Sequence, residues 1–382
     1  MSSLATENIS PDGVMPVSSE DLDTVQWRPV TSHVRVTHIV WNFDGGGLES
    51  VVASLAKQFR GTSVRSSVIS LSGRIGRLGV ERCVDFEHVL AIRPWPGVSM
   101  IAPIGLAKLI RRTKADVVHL HSGVWFKGAL AARIAGVRRV IFTEHGREHN
   151  DPLSSRVLDA TASLFTDFVV PVSFRLESYM HRRLHIPATR LRTIPNGVDT
   201  SAFSAADRCE RMRSDLGIPN GALVIGSVSR LCRVKRFDHL ITSAARLISE
   251  EDPKHPVYLV LCGEGPERTS LQEQAARLGM LERTRFVPWR SEPADVYRAL
   301  DVFVLPSESE GLSMSLLEAM ACGKPPIVTD VGANREVLGR AAASQVVPAD
   351  DVDTLTSAIA RLLRDPQLRA DEGRFARQRV ED

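Results

Sequence analysis

From Val34 onward, short β-branched runs alternate with amphipathic stretches of helical length. That alternation constrains the fold more than any other feature, because parallel strands must be joined by crossovers long enough to hold a helix. The pattern predicts strands over 34–41, 64–71, 116–120, 139–143 and 168–172, with helices over 48–59, 103–112, 126–135, 154–165 and 174–184. Pro195-Asn196-Gly197-Val198-Asp199 then interrupts it, since such a run continues neither a helix nor a central strand. Beyond it the pattern restarts, with strands over 223–228, 257–261, 284–287, 302–305 and 326–329. The expected fold class is α/β, with two Rossmann-like doubly wound parallel-sheet domains facing across a cleft. The divisions are a disordered tail over 1–30, a first domain over 31–195, a linker over 196–200 and a second domain over 201–382. In such sheets ligands bind beyond the carboxyl ends of the strands, so the cleft is the expected site.

A chain of 382 residues has room for two such cores. Its longest apolar runs, such as 257–261 and 302–305, are strand-sized, well short of the ~20 residues of a spanning helix. The first 26 residues carry Glu7, Asp12, Glu20, Asp21 and Asp23 without an apolar core segment, so no secretory signal is expected. Five cysteines with no CxxC spacing suit reduced thiols rather than disulfides or a zinc site, and a cytoplasmic location is expected. The net charge of +3 hides an asymmetry. Residues 31–195 hold about 23 Lys and Arg against about 12 Asp and Glu, leaving the remainder near −8. An anionic partner for the first half follows. Nucleic acid does not fit, because the basic excess lacks interleaved aromatics and a recognition helix.

Several loops at predicted strand ends carry chemistry. Asn42-Phe43-Asp44-Gly45-Gly46-Gly47-Leu48-Glu49 leaves a strand and opens a helix, where bare amides can approach an anion, although the spacing is not GxGxxG. Arg230, followed by Lys235, stands past the first strand of the second half, placed to clamp a diphosphate as its charge grows. A solvated basic loop is the plainer reading of the same residues. Cys262-Gly263-Glu264-Gly265-Pro266 is a further strand-to-helix turn. In the stretch 306–320 a loop presents Glu310 and a helix begins near Ser313. Free amides of Leu312, Ser313 and Met314 can face a phosphate there. Glu318, about one turn further, could accept both hydroxyls of a ribose. Metal chemistry has weak candidates: Asp21-Leu22-Asp23 lies in the tail, Asp351-Val352-Asp353 suits a helix cap, and His119 and His121 suit a structural or acceptor-side role.

Glu310 and Glu318 match an E-x7-E motif, and with Arg230, Lys235, Gly263–Pro266 and Pro195–Asp199 the chain resembles the retaining glycosyltransferase family 4, of the GT-B fold, over roughly residues 35–380. The overall pattern most resembles bacterial exopolysaccharide-type transferases with a Gly-Gly-Leu-Glu first loop. The resemblance implies a second domain that binds a nucleotide sugar and a first domain that binds the acceptor, a glycan or lipid-linked saccharide. No metal and no cofactor are implied, the nucleotide sugar being a co-substrate. Arg230 and Lys235 would hold the diphosphate, Glu318 the ribose, and Glu310 the sugar. His145 would lie beside the sugar, Gly46 and Gly47 would face the diphosphate, and Pro288, Trp289 and Arg290 would meet the base. Gly263, Gly265, Gly311, Leu312, Ser313 and Met314 complete the expected donor site. Without the resemblance, His145 reads as a loop or core histidine. Ser229, Arg236, Ser313 and Ala333 stand where the family usually has glycine, and the family usually continues into a terminal helix that packs back on the first domain. A nucleotide-sugar epimerase and a non-catalytic nucleotide-sugar-binding protein remain the alternatives on this architecture. The basic clusters Arg111, Arg112 and Lys114, Arg138 and Arg139, and Arg182 and Arg183 allow peripheral contact with an anionic membrane.

Overall fold

The aliphatic runs of each half pair into a six-stranded parallel sheet. The computed structural model describes residues 33–92, 103–146, 151–206, 209–249 and 255–382. In the first half the strands are β1 (Val34–Val40), β2 (Val64–Ser70), β3 (His88–Ala91), β4 (Val117–His121), β5 (Arg139–Glu144) and β6 (Phe168–Pro171), in spatial order β3-β2-β1-β4-β5-β6. The second half has β7 (Leu223–Val228), β8 (Val257–Cys262), β9 (Thr284–Val287), β10 (Val302–Leu305), β11 (Pro326–Thr329) and β12 (Val346–Val347), in order β12-β11-β10-β7-β8-β9. Reversed, that is the same winding. Central strands such as β10 and β11 are buried along their whole length, as helices on both faces require.

Each half packs its own core. In the first, Ile39, Leu120, Val140 and Phe142 are sealed beneath Trp125, whose ring stacks on Phe142 at 3.9 Å between centroids. Ile225, Leu259, Val302 and Ile327 anchor the second. The halves also share a device. Arg133 donates to Asp167 and to backbone carbonyls around it, and the buried Arg213 does the same with Asp301, each carboxylate also accepting an amide of the neighbouring strand. These pairs fix where each strand enters its sheet.

The predicted strands and helices all form, with ends shifted by a residue or two. Two strands went unpredicted, β3 and β12. Both are the outermost of their sheets, paired on one side only, and β12 is two residues long, so neither carries a full apolar pattern. The expected tail lies outside the described residues. At the linker, the Asp199 carboxylate accepts from the amides of Ser201 and Ala202. The helix Pro366–Glu381 packs its Gly373 against the backbone of Gly323 and sends Arg377 to the carbonyls of Thr200, Phe203 and Ala321. Its Val380 reaches an apolar patch that includes Val172 and Leu176 of the first half.

Candidate active site

The loop after β7 is shaped by backbone contact with the turn after β8. Ser229 N donates to Cys262 O and Leu231 N to Glu264 O, both at 2.9 Å. A Cβ on Gly263 would stand 2.0 Å from Ser229 O, and one on Gly265 2.1 Å from Leu231 O. The two glycines therefore let this turn brace the Arg230 loop, which leaves Arg230 exposed at its apex. Lys235 points inward: its Nζ donates to Glu310 Oε1 at 2.6 Å, as does Ser307 Oγ. Side-chain exposures of 16% and 7% make the Lys235–Glu310 pair a largely desolvated one. Arg236 has φ of 49°, the left-handed conformation that explains why glycine suits this position. Its guanidinium is held there by Asp238 and Asp350.

Past β10 the chain turns at Glu310 and enters the helix Met314–Ala321, capped by Ser313 Oγ, which accepts from Leu316 N. Glu318 sits on the inner side of this helix and accepts from Tyr297 Oη at 2.7 Å. Burial pushes the Glu318 carboxyl up to about 7, the Tyr297 hydrogen bond pulling the other way. Tyr297 carries no motif that would have marked it in the sequence.

Facing these loops, the glycine turn after β1 meets the second half directly. A Cβ on Gly45 would lie 3.3 Å from the Trp289 ring, and one on Gly47 3.8 Å from Met314 Cγ. Gly46 is the extended N-cap of the helix Gly47–Phe59, and the Glu49 carboxylate folds back over it. Burial raises the Glu49 carboxyl above its usual range, while Arg230 across the cleft pulls it down. After β5, Ser122 Oγ accepts from His145 N at 2.8 Å and donates to Glu144 Oε1 at 2.6 Å, fixing the turn. There the halves touch backbone to backbone: a Cβ on Gly311 would stand 1.6 Å from His145 O, and one on Gly146 2.8 Å from Gly311 Cα. Burial holds the His145 ring down to about 3, so it is neutral.

An apolar patch extends the contact, with Val172 and Leu176 against Leu312, Leu317 and Ala333. Asn196 Nδ2 donates to Leu312 O and Arg175 Nη1 to Gly332 O. The structure thus brings Gly46, Gly47, His145, Gly311, Leu312, Ser313, Met314 and Trp289 to one seam, with Arg230, Lys235, Glu310 and Glu318 on its second-half wall. Pro288 and Arg290 are exposed, and Arg290 lines with Trp289, Glu81, Ser291 and Glu292 a hollow of ≈ 260 Å³. Ser307 and Glu49 lie in loops that the sequence singled out without giving them a role, and Tyr297 lies in none.

Asp351 does cap a helix, accepting from Thr354 N, while Asp21 and Asp23 lie outside the described residues. His119 and His121 have a third neighbour that sequence reading missed, His38, and the three offer nitrogens within 4.8 Å of one another.

Two family models divide the chain where its sheets divide. Residues 45–202 match "Glycosyltransferase Family 4" and residues 209–379 match "Glycosyl transferases group 1". The chain belongs to glycosyltransferase family 4. This family 4 enzyme is 28% identical to the Escherichia coli UDP-Gal:alpha-D-GlcNAc-diphosphoundecaprenol alpha-1,3-galactosyltransferase, over 69% of this chain and 70% of that protein. It is 25% identical to the Bacillus anthracis N-acetyl-alpha-D-glucosaminyl L-malate synthase, over 88% and 89%. The crystal structure of Anabaena HepE with UDP and glucose shares its fold, with a TM-score of 0.78 at 22% identity, covering 91% of this chain and 95% of that one. The protein is therefore a nucleotide-sugar-dependent glycosyltransferase of GT-B fold.

Proposed function

We propose that the enzyme transfers a sugar, with retention and without a metal ion, from a nucleoside diphosphate sugar on its second half to a hydroxyl of a glycan or lipid-linked saccharide on its first. The observation that carries this reading is the convergence of Arg230, Lys235 and the N-terminus of the helix Met314–Ala321 opposite Gly46 and Gly47. The bond from the anomeric carbon to the diphosphate breaks as the acceptor oxygen bonds to that carbon. Arg230, Lys235 and the free amides at the helix start stabilise the departing charge. A departing phosphate oxygen takes the acceptor's proton, so both events share one face of the sugar. Glu310 serves as a ligand for sugar hydroxyls rather than as a nucleophile, since Lys235 and Ser307 already engage its carboxylate. Glu318 would hold the ribose, and the hollow at Trp289 and Arg290 would take the base. The E. coli relative's name supports a uridine donor and a diphospholipid-linked acceptor as the first to test.

A panel of nucleoside diphosphate sugars, incubated with such an acceptor under excess chelator, tests this reading. Expected is a product whose anomeric coupling matches the donor's. A strict demand for divalent metal, or an inverted anomer, would overturn the respective part.

The raised Glu318 carboxyl gives a second expectation. Ribose hydroxyls donate to the ionised form, so donor binding lowers its pKa and releases a proton near pH 7. Calorimetry in buffers of different ionisation enthalpy should detect the release, and Glu318→Gln should abolish it while weakening binding by about 1–3 kcal/mol. Without donor the sign is reversed. A carboxyl whose folded pKa is raised binds more protons folded than unfolded, so stability falls as pH rises from the ordinary carboxylate range to about 7.

Peripheral contact of the first half with an anionic membrane belongs to the same reading. The helix Leu153–Leu164 exposes Leu153, Val157 and Leu164, and its Arg156 donates to Arg183 O, which sets Arg182 and Arg183 beside that apolar face. Arg139, by contrast, pairs with Asp167, and Arg111 donates to Ile134 O, so those clusters are partly engaged. Whole protein should co-sediment with anionic vesicles at low salt, less at high salt, and not with neutral vesicles. Equal partitioning in all conditions would remove the membrane contact.

A further inference from the structure

The helix Ala294–Ala299 carries a tyrosine that is fully buried and, among the described residues, makes a single hydrogen bond. Tyr297 stands edge-on to Phe203, with ring centroids 6.0 Å apart, and tilted against Phe303 at 5.9 Å, so its neighbours fix the plane of the phenol. Its Oη donates to Glu318 Oε2 at 2.7 Å. The Glu318 carboxylate makes no other hydrogen bond among the described residues, and the residue is only half-buried on the wall of the seam. One oxygen is tied to a rigid ring. The other, Oε1, keeps its lone pairs for a ligand.

Burial, which pushes the Glu318 carboxyl up to about 7, is opposed by the Tyr297 hydrogen bond. Two thiols also feel the Glu318 charge. Burial raises Cys262 to about 12 and Cys322 to about 11, so both stay neutral where the carboxyl titrates. Charged side chains of the surrounding elements, Arg290 and Glu264 near Cys262 and Arg298, Lys324 and Arg377 near Cys322, act on those thiols but do not shift Glu318. Among the described residues, the phenol is therefore the group that works against burial to keep this carboxyl ionised.

We propose that Tyr297 is a positioning residue for donor recognition, holding the Glu318 carboxylate through Oε2 and leaving Oε1 to accept from the hydroxyls of a ribose. Those hydroxyls donate most strongly to the ionised carboxylate, so the phenol acts twice, on orientation and on charge. A tyrosine that only filled the core would leave nucleotide binding indifferent to pH through this pair. The assignment of ribose rests on the transferase reading above; the hold of Tyr297 on Glu318 does not.

Tyr297→Phe keeps the ring and removes only the hydroxyl. In calorimetry under chelator, the variant should bind UDP about fivefold more weakly than wild type near pH 7, as follows if the carboxyl pKa rises by roughly one unit, and the gap should close to within about twofold near pH 9. 2′,3′-Dideoxy-UDP, which lacks both hydroxyls, should bind the two proteins equally at either pH. Carbon-13 spectra of glutamate-labelled whole protein, with the Glu318 signal assigned by its loss in Glu318→Gln, should show the carboxyl titrating near 7 in wild type and higher in Tyr297→Phe. An unchanged Glu318 titration in Tyr297→Phe would overturn the proposal. So would UDP affinity equal to wild type near pH 7, or a loss that is the same at every pH or is shared by the dideoxy nucleotide. If wild type binds both nucleotides alike, or neither, the ribose contact falls with the reading it rests on, while the carbon titration still decides whether Tyr297 governs Glu318.

Discussion

Gly311→Ala should leave both halves folded and lower transfer on the order of 10²-fold, because the added methyl falls on a seam where the halves meet backbone to backbone. The ideal Cβ would stand 1.6 Å from His145 O and 2.7 Å from Gly146 Cα, atoms that no side-chain rotation can move. Gly311 is not among the residues of positive φ, so alanine suits its own backbone, and the strain falls on contact between the halves. Separating them by even an ångström would pull Gly47 from Met314, and His145 from Gly311. The loss should appear in kcat with a melting temperature within a few degrees of wild type, and small-angle scattering should report a more open particle. Wild-type turnover in Gly311→Ala would show that this contact is not part of the catalytic arrangement.

Much of this was legible in the sequence, for physical reasons. The alternation of strand-length and helix-length apolar runs fixed the winding of both sheets, since buried parallel strands must be apolar along their length. Glu318 was legible because a glutamate among Leu316, Leu317, Ala319 and Met320 needs a reason to be there, and Glu310 because it completes an E-x7-E spacing with Glu318. Tyr297 was not, because a buried tyrosine in a helix looks like core until its hydroxyl is seen to meet Glu318. The same holds for His38, whose link to His121 and His145 depends on strand register across 83 residues of separation. The roles of Gly263 and Gly265 were legible as a tight turn but not as a brace, because the carbonyls they approach belong to the loop after another strand. Lys235 read as half of a diphosphate clamp or as part of a solvated basic loop, and its contact with Glu310 shows that it points inward.

Arg230→Ala and Lys235→Ala are the other substitutions with large expected effects, each lowering kcat on the order of 10²-fold or more, since their charges matter most as the diphosphate departs. Arg230 is exposed at the tip of a braced loop, so its loss should cost little stability. Lys235→Ala also leaves the Glu310 carboxylate without its cation in a largely dry site, and should lower the melting temperature as well. A fall in kcat without a matching rise in donor KM distinguishes stabilisation of the leaving group from simple binding.

The central claim, that the second half grips a nucleoside diphosphate through its two phosphates, is tested most directly by titrating the matching nucleoside diphosphate and monophosphate into the wild-type protein and Arg230→Ala by calorimetry under chelator. The account predicts that wild type binds the diphosphate at least about tenfold more tightly, and that this gap largely closes in Arg230→Ala, as expected for a charge-assisted contact worth roughly 1.5–3 kcal/mol. Equal affinity for the two nucleotides in wild type, or a gap unchanged by Arg230→Ala, would contradict it.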